Sequence, residues 1–553
     1  MDESRPTFSI VTPVYNPPLD ILRSTIASVR AQAFRDWELI LVDDRSPDDA
    51  VREVLRAEAA TDPRIRVIER ETNGHIVAAS NDGIEAARGE FIALLDHDDL
   101  LVPQALRVVR RAIEQYPDAD YLYSDEEIVD ADGARLGQFH KPVWSPERLR
   151  GQMYTGHLSV LRTSVVREVG GFREGFDGSQ DHDLVLRVTE RARVIVHVPR
   201  VLYHWRGAPG SVVHDPEAKP YAWEAGRRAV QEHLDRVGIA ATAELGRTRH
   251  SMRLQRRLDP EVTISVVIPT RGSQGLVWGK RRTFVVDAIR SMRERGGHQR
   301  VEFVVVYDED TDPDRLDEVR AVGGPDVNLV PYRPPFNFSA KCNVGVAASY
   351  GDVIVLLNDD VEIASDGFLV DLVAPLYEEG VGATGARLLF SDSTIQHAGV
   401  VVFDGGPGHA MYKMRGTTPG PFSALVLNRE VSAVTGACIA LKRSTYERIG
   451  GMSEQFPLSY NDVDFCNKIT AAGLRILWIA SATAYHFESK SRDPEVRPWE
   501  KQLLAERWIP PLQDLYLPTY RRNGRSEIGV ARGSAPRGHD AAGRPVAPRG
   551  DQA

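Results

Sequence analysis

Short runs of β-branched and aliphatic residues recur along the chain, each ending at a proline or an acidic turn. FSIVTPVYN (Phe8–Asn16) and WELILVDDRS (Trp37–Ser46) are two such runs, separated by a helix-like stretch. A short apolar run bounded by turn residues reads as a buried strand. Strands that alternate with helical patterns predict a mainly parallel sheet with helices on its faces, an α/β fold. In open α/β sheets ligands bind beyond the carboxyl ends of the strands. Pro13–Tyr15, Asp43–Asp44 and Asp96–Asp99 all fall at such ends.

The pattern occurs twice. ISVVIPTRG (Ile264–Gly272) repeats the first run, and VEFVVVYDED (Val301–Asp310) the second. SNDGIEAARGEFIALLDHDD (Ser80–Asp99) matches CNVGVAASYGDVIVLLNDDV (Cys342–Val361) without a gap, so that Asn81, Gly89 and Asp96 mirror Asn343, Gly351 and Asn358. TGHLSVLRTSVVREVGGF (Thr155–Phe172) matches TGACIALKRSTYERIGGM (Thr435–Met452), SQDHDLVLRV (Ser179–Val188) matches YNDVDFCNKI (Tyr460–Ile469), and LYHWR (Leu202–Arg206) matches AYHFE (Ala484–Glu488). Self-similarity in one fixed order signals a duplicated unit. Two domains are therefore expected, over residues 1–250 and 261–520, joined near the charged stretch Gly246–Pro260. From about residue 521 the chain is rich in Gly, Ala, Pro and Arg and poor in large apolar residues, so a disordered tail over 521–553 is expected.

Length supports this division, because 553 residues exceed what one core usually serves. A net charge of −10 argues against a nucleic-acid binder, which needs a basic footprint. It leaves room for one nucleotide ligand, whose phosphates need only local positive charge or a metal. The three cysteines, Cys342, Cys438 and Cys466, form no CxxC pair and read as reduced thiols in a cytoplasmic setting. No secretory signal and no run near the ~20 apolar residues of a membrane span is visible. The mildly basic tail leaves peripheral association with the inner face of the cell membrane open.

The strongest chemical candidate is LLDHDD (Leu94–Asp99), echoed as LLNDDV (Leu356–Val361). Carboxylates crowded at a strand end repel one another unless a cation relieves them. Oxygen-rich sites suit Mg²⁺ or Mn²⁺ held partly through substrate phosphates, and such an ion neutralises charge on a departing diphosphate. A solvated acidic turn is the plainer alternative. Asp181 and Asp462 follow a Gly-Gly pair by ten and eleven residues and open helix-like runs. Each is either a base that takes a proton from an attacking hydroxyl or an N-cap aspartate. His204 and His486 are metal or diphosphate ligands, or packed histidines at a strand end. Asp43–Asp44 either accepts from a nucleoside or caps a turn. Asn73–Gly74 and Gly83 read as turn and loop punctuation.

Taken together, strand–PxYN, strand–VDD, N-x₇-G-x₆-D-x-D, GGF and a late QD or ND pair resemble family 2 of the glycosyltransferases over Phe8 to about Tyr520, in two copies. The variants YSDEEI, GHLSV and GSQDHDL in the first half, and FNFSAKCN, STIQHAGVV, VTGAC and YNDVDFC in the second, are similar to bacterial tandem enzymes of surface-polysaccharide assembly, some of them rhamnosyltransferases. The resemblance implies two tandem GT-A domains and an inverting, metal-dependent hexosyl transfer from a nucleotide-sugar donor to a growing glycan, lipid-linked in the preferred reading. In the first half it implies Pro13, Tyr15 and Asp44 around the nucleotide, Asp96 and Asp98 as the DxD pair with Asp98 on the metal, Asp181 as base, and His204 at the metal or diphosphate. In the second it implies Pro269 and Asp308 at the nucleotide, Asn358 and Asp360 as the DxD pair, Asp462 as base and His486 as the late histidine, with Asp360 and His486 on the metal. Thr155–His157 and Thr435–Ala437 would line the donor-sugar and acceptor side.

Two departures from the pattern stand in the second copy: Asn358 for the first DxD carboxylate, and Tyr307 for the first nucleotide-side acid. Three rival readings follow. One keeps a single active domain, with the other holding acceptor. Another is a non-catalytic nucleotide-sugar-binding scaffold, against which the presence of both Asp181 and Asp462 counts. The third is a nucleotidyltransferase, which would need a Gly- and Lys-rich phosphate loop that is not evident.

Overall fold

A computed structural model describes residues 5–130, 133–207, 220–333, 335–402, 406–487, 497–509, 511, 513–518 and 535–549. The chain divides into two compact units, one of residues 1–238, 243–253 and 528–553, the other of 239–242 and 254–527.

Each unit is built on one mixed, parallel-rich sheet. In the first, Ile65–Glu69, Trp37–Asp43, Phe8–Val14 and Phe91–Leu94 lie side by side in parallel. Ser159–Arg162 joins Phe91–Leu94 antiparallel, Ala119–Val129 follows antiparallel to it, and Val194–Arg206 runs parallel to Ala119–Val129. The second unit repeats the order with Val327–Tyr332, Val301–Asp308, Ile264–Thr270, Val353–Leu357, Cys438–Lys442, Val381–Leu389 and Arg475–His486. The central strands are buried on both faces, which is why their sequences run apolar without alternation. Val267, Val304 and Val306 join the core on one face, while Val266, Ile268 and Val305 join the core on the other.

The repeated small and amide residues hold helix to sheet. Gly83 sits inside the helix His75–Ala86, not in a loop as its sequence neighbourhood suggested. A Cβ there would come within 2.5 Å of Val11 Cγ1, and one at Gly345 within 2.4 Å of Val267 Cγ1. Only glycine lets this helix lie so close to the strand. Asn81 clamps the turn after Gly170–Gly171: its amide donates to Phe172 O and accepts from Phe172 N, both at 2.9 Å. Asn343 does the same to Met452 at 3.0 Å. The N-x₇-G and GGF motifs are thus two halves of one structural lock.

One difference between the units follows the opening strand. In the first, the helix Leu19–Arg30 starts soon after the opening strand. In the second, a hairpin of Gln274–Val277 and Lys280–Thr283 intervenes before the helix Phe284–Arg295.

Residues 521–534 and 550–553, part of the tail for which disorder is expected, lie outside the described residues. A later part of that tail is built into the fold. Arg537–His539 pairs antiparallel with Val194–Arg206 at the edge of the first unit's sheet, and Pro545–Val546 pairs with it in turn. Backbone pairing at an edge needs no large side chains. Gly538 rests on the Tyr116 ring, where a Cβ would meet Cε1 at 2.5 Å, and Trp144 Nε1 donates to Ala541 O at 3.2 Å. Composition alone points to disorder because it does not register an available sheet edge.

Removing the asparagine lock should cost stability. Asn81→Ala, or Asn343→Ala, is expected to lower the unfolding free energy by about 1–3 kcal/mol, the cost of stranding buried backbone polar groups. Chemical denaturation measures this, and an unchanged midpoint would show the lock to be dispensable.

Candidate active sites

In the first unit the carboxyl ends of three neighbouring parallel strands present the predicted residues together. Tyr15, 51% exposed, stands at the mouth beyond Pro13. Asp44 is buried, and its Oδ1 accepts from Arg70 Nη1 at 2.6 Å and from Gly74 N at 2.9 Å. Asn73 Nδ2 donates to Asp44 O at 2.9 Å, so the Asn73–Gly74 turn serves to set Asp44. Asp43 takes the turn-capping role, accepting from Ser46 N at 3.2 Å.

The acidic run Asp96–Asp99 follows. Burial raises the Asp98 carboxyl above its ordinary range, with Asp96 adding to the effect and His97 opposing it. Burial, helped by Asp96 and Asp98, pushes the Asp99 carboxyl up to about 8. Asp99 accepts from Tyr203 Oη at 2.6 Å and from Arg206 N at 2.7 Å. Asp96, Asp99 and His157 each offer one ligand atom within 4.8 Å of the others. His157 stacks on Tyr203, with centroids 4.6 Å apart and planes at 14°. Burial alone would lower its imidazole, but Asp96, Glu126 and Asp99 outweigh it and hold the group above its ordinary value.

His204 is placed differently. Its Nε2 lies 3.3 Å from Glu127 Oε2. In the sheet it pairs with Leu100, whose counterpart Glu362 pairs with Tyr485. His204 therefore stands one residue out of register with His486, and the two are not equivalent in space. Asp181 lies in the first turn of the helix Gln180–Thr189, its Oδ1 accepting from His182 N at 2.8 Å. Its charge acts on the buried Tyr121 hydroxyl, raised first by burial, which lies 3.0 Å from Ser159 Oγ. Asp183, two residues on, is fully buried and held by Arg173 and Arg187.

The second unit shows the meeting of groups directly. Asn358 N donates to Ala437 O at 2.9 Å, and Gly436 N donates to Asp462 Oδ2 at 3.1 Å. The DxD position and the candidate base thus flank one three-residue segment, Thr435–Ala437. His486 Nε2 lies 3.1 Å from Asp360 Oδ1 and 3.3 Å from Asn358 Nδ2, while its Nδ1 lies 2.6 Å from Gln396 Oε1. Asp359 accepts from Thr270 Oγ1 at 2.6 Å, and burial with Asp360 beside it pushes its carboxyl up to about 7. Asp308, beyond Pro269, accepts from Lys341 Nζ at 2.8 Å, with Arg271 Nε 3.5 Å away on its other oxygen. Tyr307 ends the same strand half-buried. Asp464, like Asp183, is a buried structural acid, accepting from Trp508 Nε1 at 2.8 Å.

The sequence profile of glycosyl transferase family 2 matches residues 9–170 and, again, 265–450. The chain belongs to glycosyltransferase family 2. Among its relatives are an uncharacterized protein, y4gI, of Sinorhizobium fredii, 43% identical over 503 residues, which are 90% of this chain and 54% of that protein. The O-antigen biosynthesis protein RfbC of Myxococcus xanthus is 34% identical over 535 residues, 96% of this chain and 41% of that one. The chain spans about half the length of these relatives. The solved structure of S. aureus TarS 1–349 with UDP-GlcNAc is similar at 21% identity and a TM-score of 0.35, over 41% of this chain and 66% of that one. This glycosyltransferase carries the family's motifs in two copies, one per sheet.

The donor sets of both copies suit a divalent cation. In the first unit of this family 2 enzyme, Asp96, Asp99 and His157 supply two carboxylates and an imidazole, a mix that Mg²⁺ or Mn²⁺ accepts. In the second, Asn358 Oδ1 is a buried acceptor with no hydrogen-bond partner among the described residues, and its side chain lies beside His486, which in turn meets Asp360. An orphaned buried carbonyl next to a carboxylate is the kind of group a cation satisfies.

Several contributors carry no legible role in the sequence. In YSDEEI, Glu126 Oε2 accepts from His157 N at 3.1 Å and from the fully buried Lys141 Nζ at 2.9 Å, and Lys141 also donates to Thr155 O at 2.6 Å. Lys141 N in turn donates to Asp125 Oδ1 at 3.0 Å. Burial would raise the Asp125 carboxyl, but His140 at 3.0 Å and His197 at 2.8 Å overcome that and hold it at about 2. In the second unit FNFSAKCN supplies Lys341 and STIQHAGVV supplies Gln396. The distinctive spelling of these segments is the signal that marks them, but their partners lie far off in sequence.

A carboxyl depressed on folding stabilises the native state above its unfolded value, near 4, and that contribution is lost as pH falls toward the folded value. The Asp125 pair should therefore supply on the order of 2 kcal/mol at neutral pH. Acid unfolding of the wild type is expected to steepen between pH ~4 and ~2. Asp125→Asn should flatten that limb; identical pH profiles for the two proteins would remove the Asp125–histidine pairing as its source.

Proposed function

We propose that this chain elongates a glycan from nucleotide-sugar donors, using two active sites, each by metal-dependent single displacement with inversion. The observation that carries the reading is the short path in the second unit from Asn358 through Ala437 and Gly436 to Asp462, in the place where the motifs also converge in the first. Pro13, Tyr15 and Asp44 in the first unit, and Pro269 and Asp308 in the second, hold the nucleoside. The acidic strand ends, Asp96–Asp99 and Asn358–Asp360, face the diphosphate. A bound Mg²⁺ or Mn²⁺ would supply charge neutralisation of the leaving diphosphate.

Asp181 and Asp462 accept the proton of the acceptor hydroxyl as its oxygen bonds to the anomeric carbon. The bond from that carbon to the phosphate oxygen breaks, and its electron pair leaves with the nucleoside diphosphate. Both aspartates lie in the first turn of a helix. The name of the relative RfbC, an O-antigen biosynthesis protein, supports a polysaccharide as the product class; we take the acceptor to be lipid-linked. Among the described residues no helix is long and apolar enough to cross a membrane. We place the enzyme on the cytoplasmic face of the membrane, associated peripherally, where sugar nucleotides and lipid-linked acceptors meet.

Asp181→Asn and Asp462→Asn, made separately, should each abolish one transfer by roughly 10²- to 10⁴-fold while donor binding persists. Product analysis with each candidate nucleotide sugar, Mn²⁺ and a lipid-linked acceptor reads this. Wild-type turnover in either variant would remove that aspartate as base, and loss of both transfers from one variant alone would favour a single active unit with an acceptor-holding partner.

A further inference from the structure

The two units do not present their histidines from the same place. In the second, His486 from the strand Arg475–His486 reaches Asp360 and Asn358. In the first, the sequence counterpart His204 is turned to Glu127, one register position away, and the neighbouring Trp205 packs edge-on against His157 at 5.6 Å. His157 itself occupies the position of Ala437, a residue with no ligating atom.

We infer that the first unit holds its divalent cation through His157, with Asp96 and Asp99, and not through His204. This rests on the transferase reading above and specifies the ligands of its first site. The three ligand atoms gather within 4.8 Å of one another, close to the roughly 4 Å spanned by opposite ligands of an ion with bonds of about 2 Å. No hydrogen-bond partner for the His157 ring nitrogens is present among the described residues. The ring is nevertheless fixed, stacked on Tyr203, while its backbone N is bound by Glu126 and its carbonyl by Lys141. Tyr203 also donates to Asp99, so one tyrosine orients two of the three ligands. Ligand side chains held by such supporting contacts are a property of built metal sites.

The test is Mn²⁺ binding to the full chain, followed by the EPR signal of the free ion, with thermal unfolding as a check on folding. The wild type should bind two ions. His157→Ala should weaken one of them at least tenfold, His157→Gln should do the same with stacking area largely kept, and His204→Ala should leave both in place. His486→Ala should weaken the other ion. Two ions bound at wild-type affinity by both His157 variants, or loss of one ion in His204→Ala, overturns the inference while the transferase reading stands. A wild-type chain that binds Mn²⁺ in neither unit overturns it too. If that chain also hydrolyses no nucleotide sugar, the reading itself falls.

Discussion

Carboxylates that folding forces together out of water dominate this molecule. At the ends of the parallel strands, burial and neighbouring carboxylates raise Asp98 and Asp99, beside Asp96, in one unit and Asp359, beside Asp360, in the other above the ordinary carboxylate range. Burying like charges costs free energy that only a counter-charge returns. The surrounding architecture can be understood as a frame for that counter-charge. A buried lysine and tyrosine fix the loop above the first cluster, and a glutamine and an orphaned amide oxygen sit beside the second.

The duplicated units solve the same problem with different parts. Asp44 is neutralised by Arg70, which follows the edge strand, whereas Asp308 is neutralised by Lys341 from the neighbouring helix. The imidazole near the acidic cluster comes from a loop, at His157, in the first unit and from a strand, at His486, in the second. Charge balance has been kept, while the residue that supplies it has moved.

Much of the fold was legible because it follows from local rules. Apolar runs without alternation marked strands buried on both faces, and the ungapped repeat of Asn81, Gly89 and Asp96 marked a duplicated unit. The roles of motif residues were harder to read. Asn81 and the Gly-Gly turn sit beside the chemistry in sequence, yet their work is structural, because a side-chain amide that pairs with both groups of one peptide leaves no mark in composition. Asp181 and Asp183 look alike in SQDHD, but about half a turn of helix separates them and sends the second to a pair of arginines. His204 was matched to His486 by an ungapped block, and a one-residue difference in sheet register, invisible in the letters, separates them. The partners of Glu126, Lys141 and Gln396 depend on long-range pairing that no local pattern encodes.

The strand Arg537–His539 completes the sheet of the first unit, yet it follows the whole of the second in the chain. The earlier of the two units is thus finished only after the later one has been made. Until synthesis has passed through the second unit, the backbone of Val194–Arg206 keeps an uncapped edge, the kind of surface that recruits stray strands. Nascent chains cut short before residue 537 would carry that edge permanently, so the hairpin of residues 537–546 works as a seal applied only after the second unit has been made.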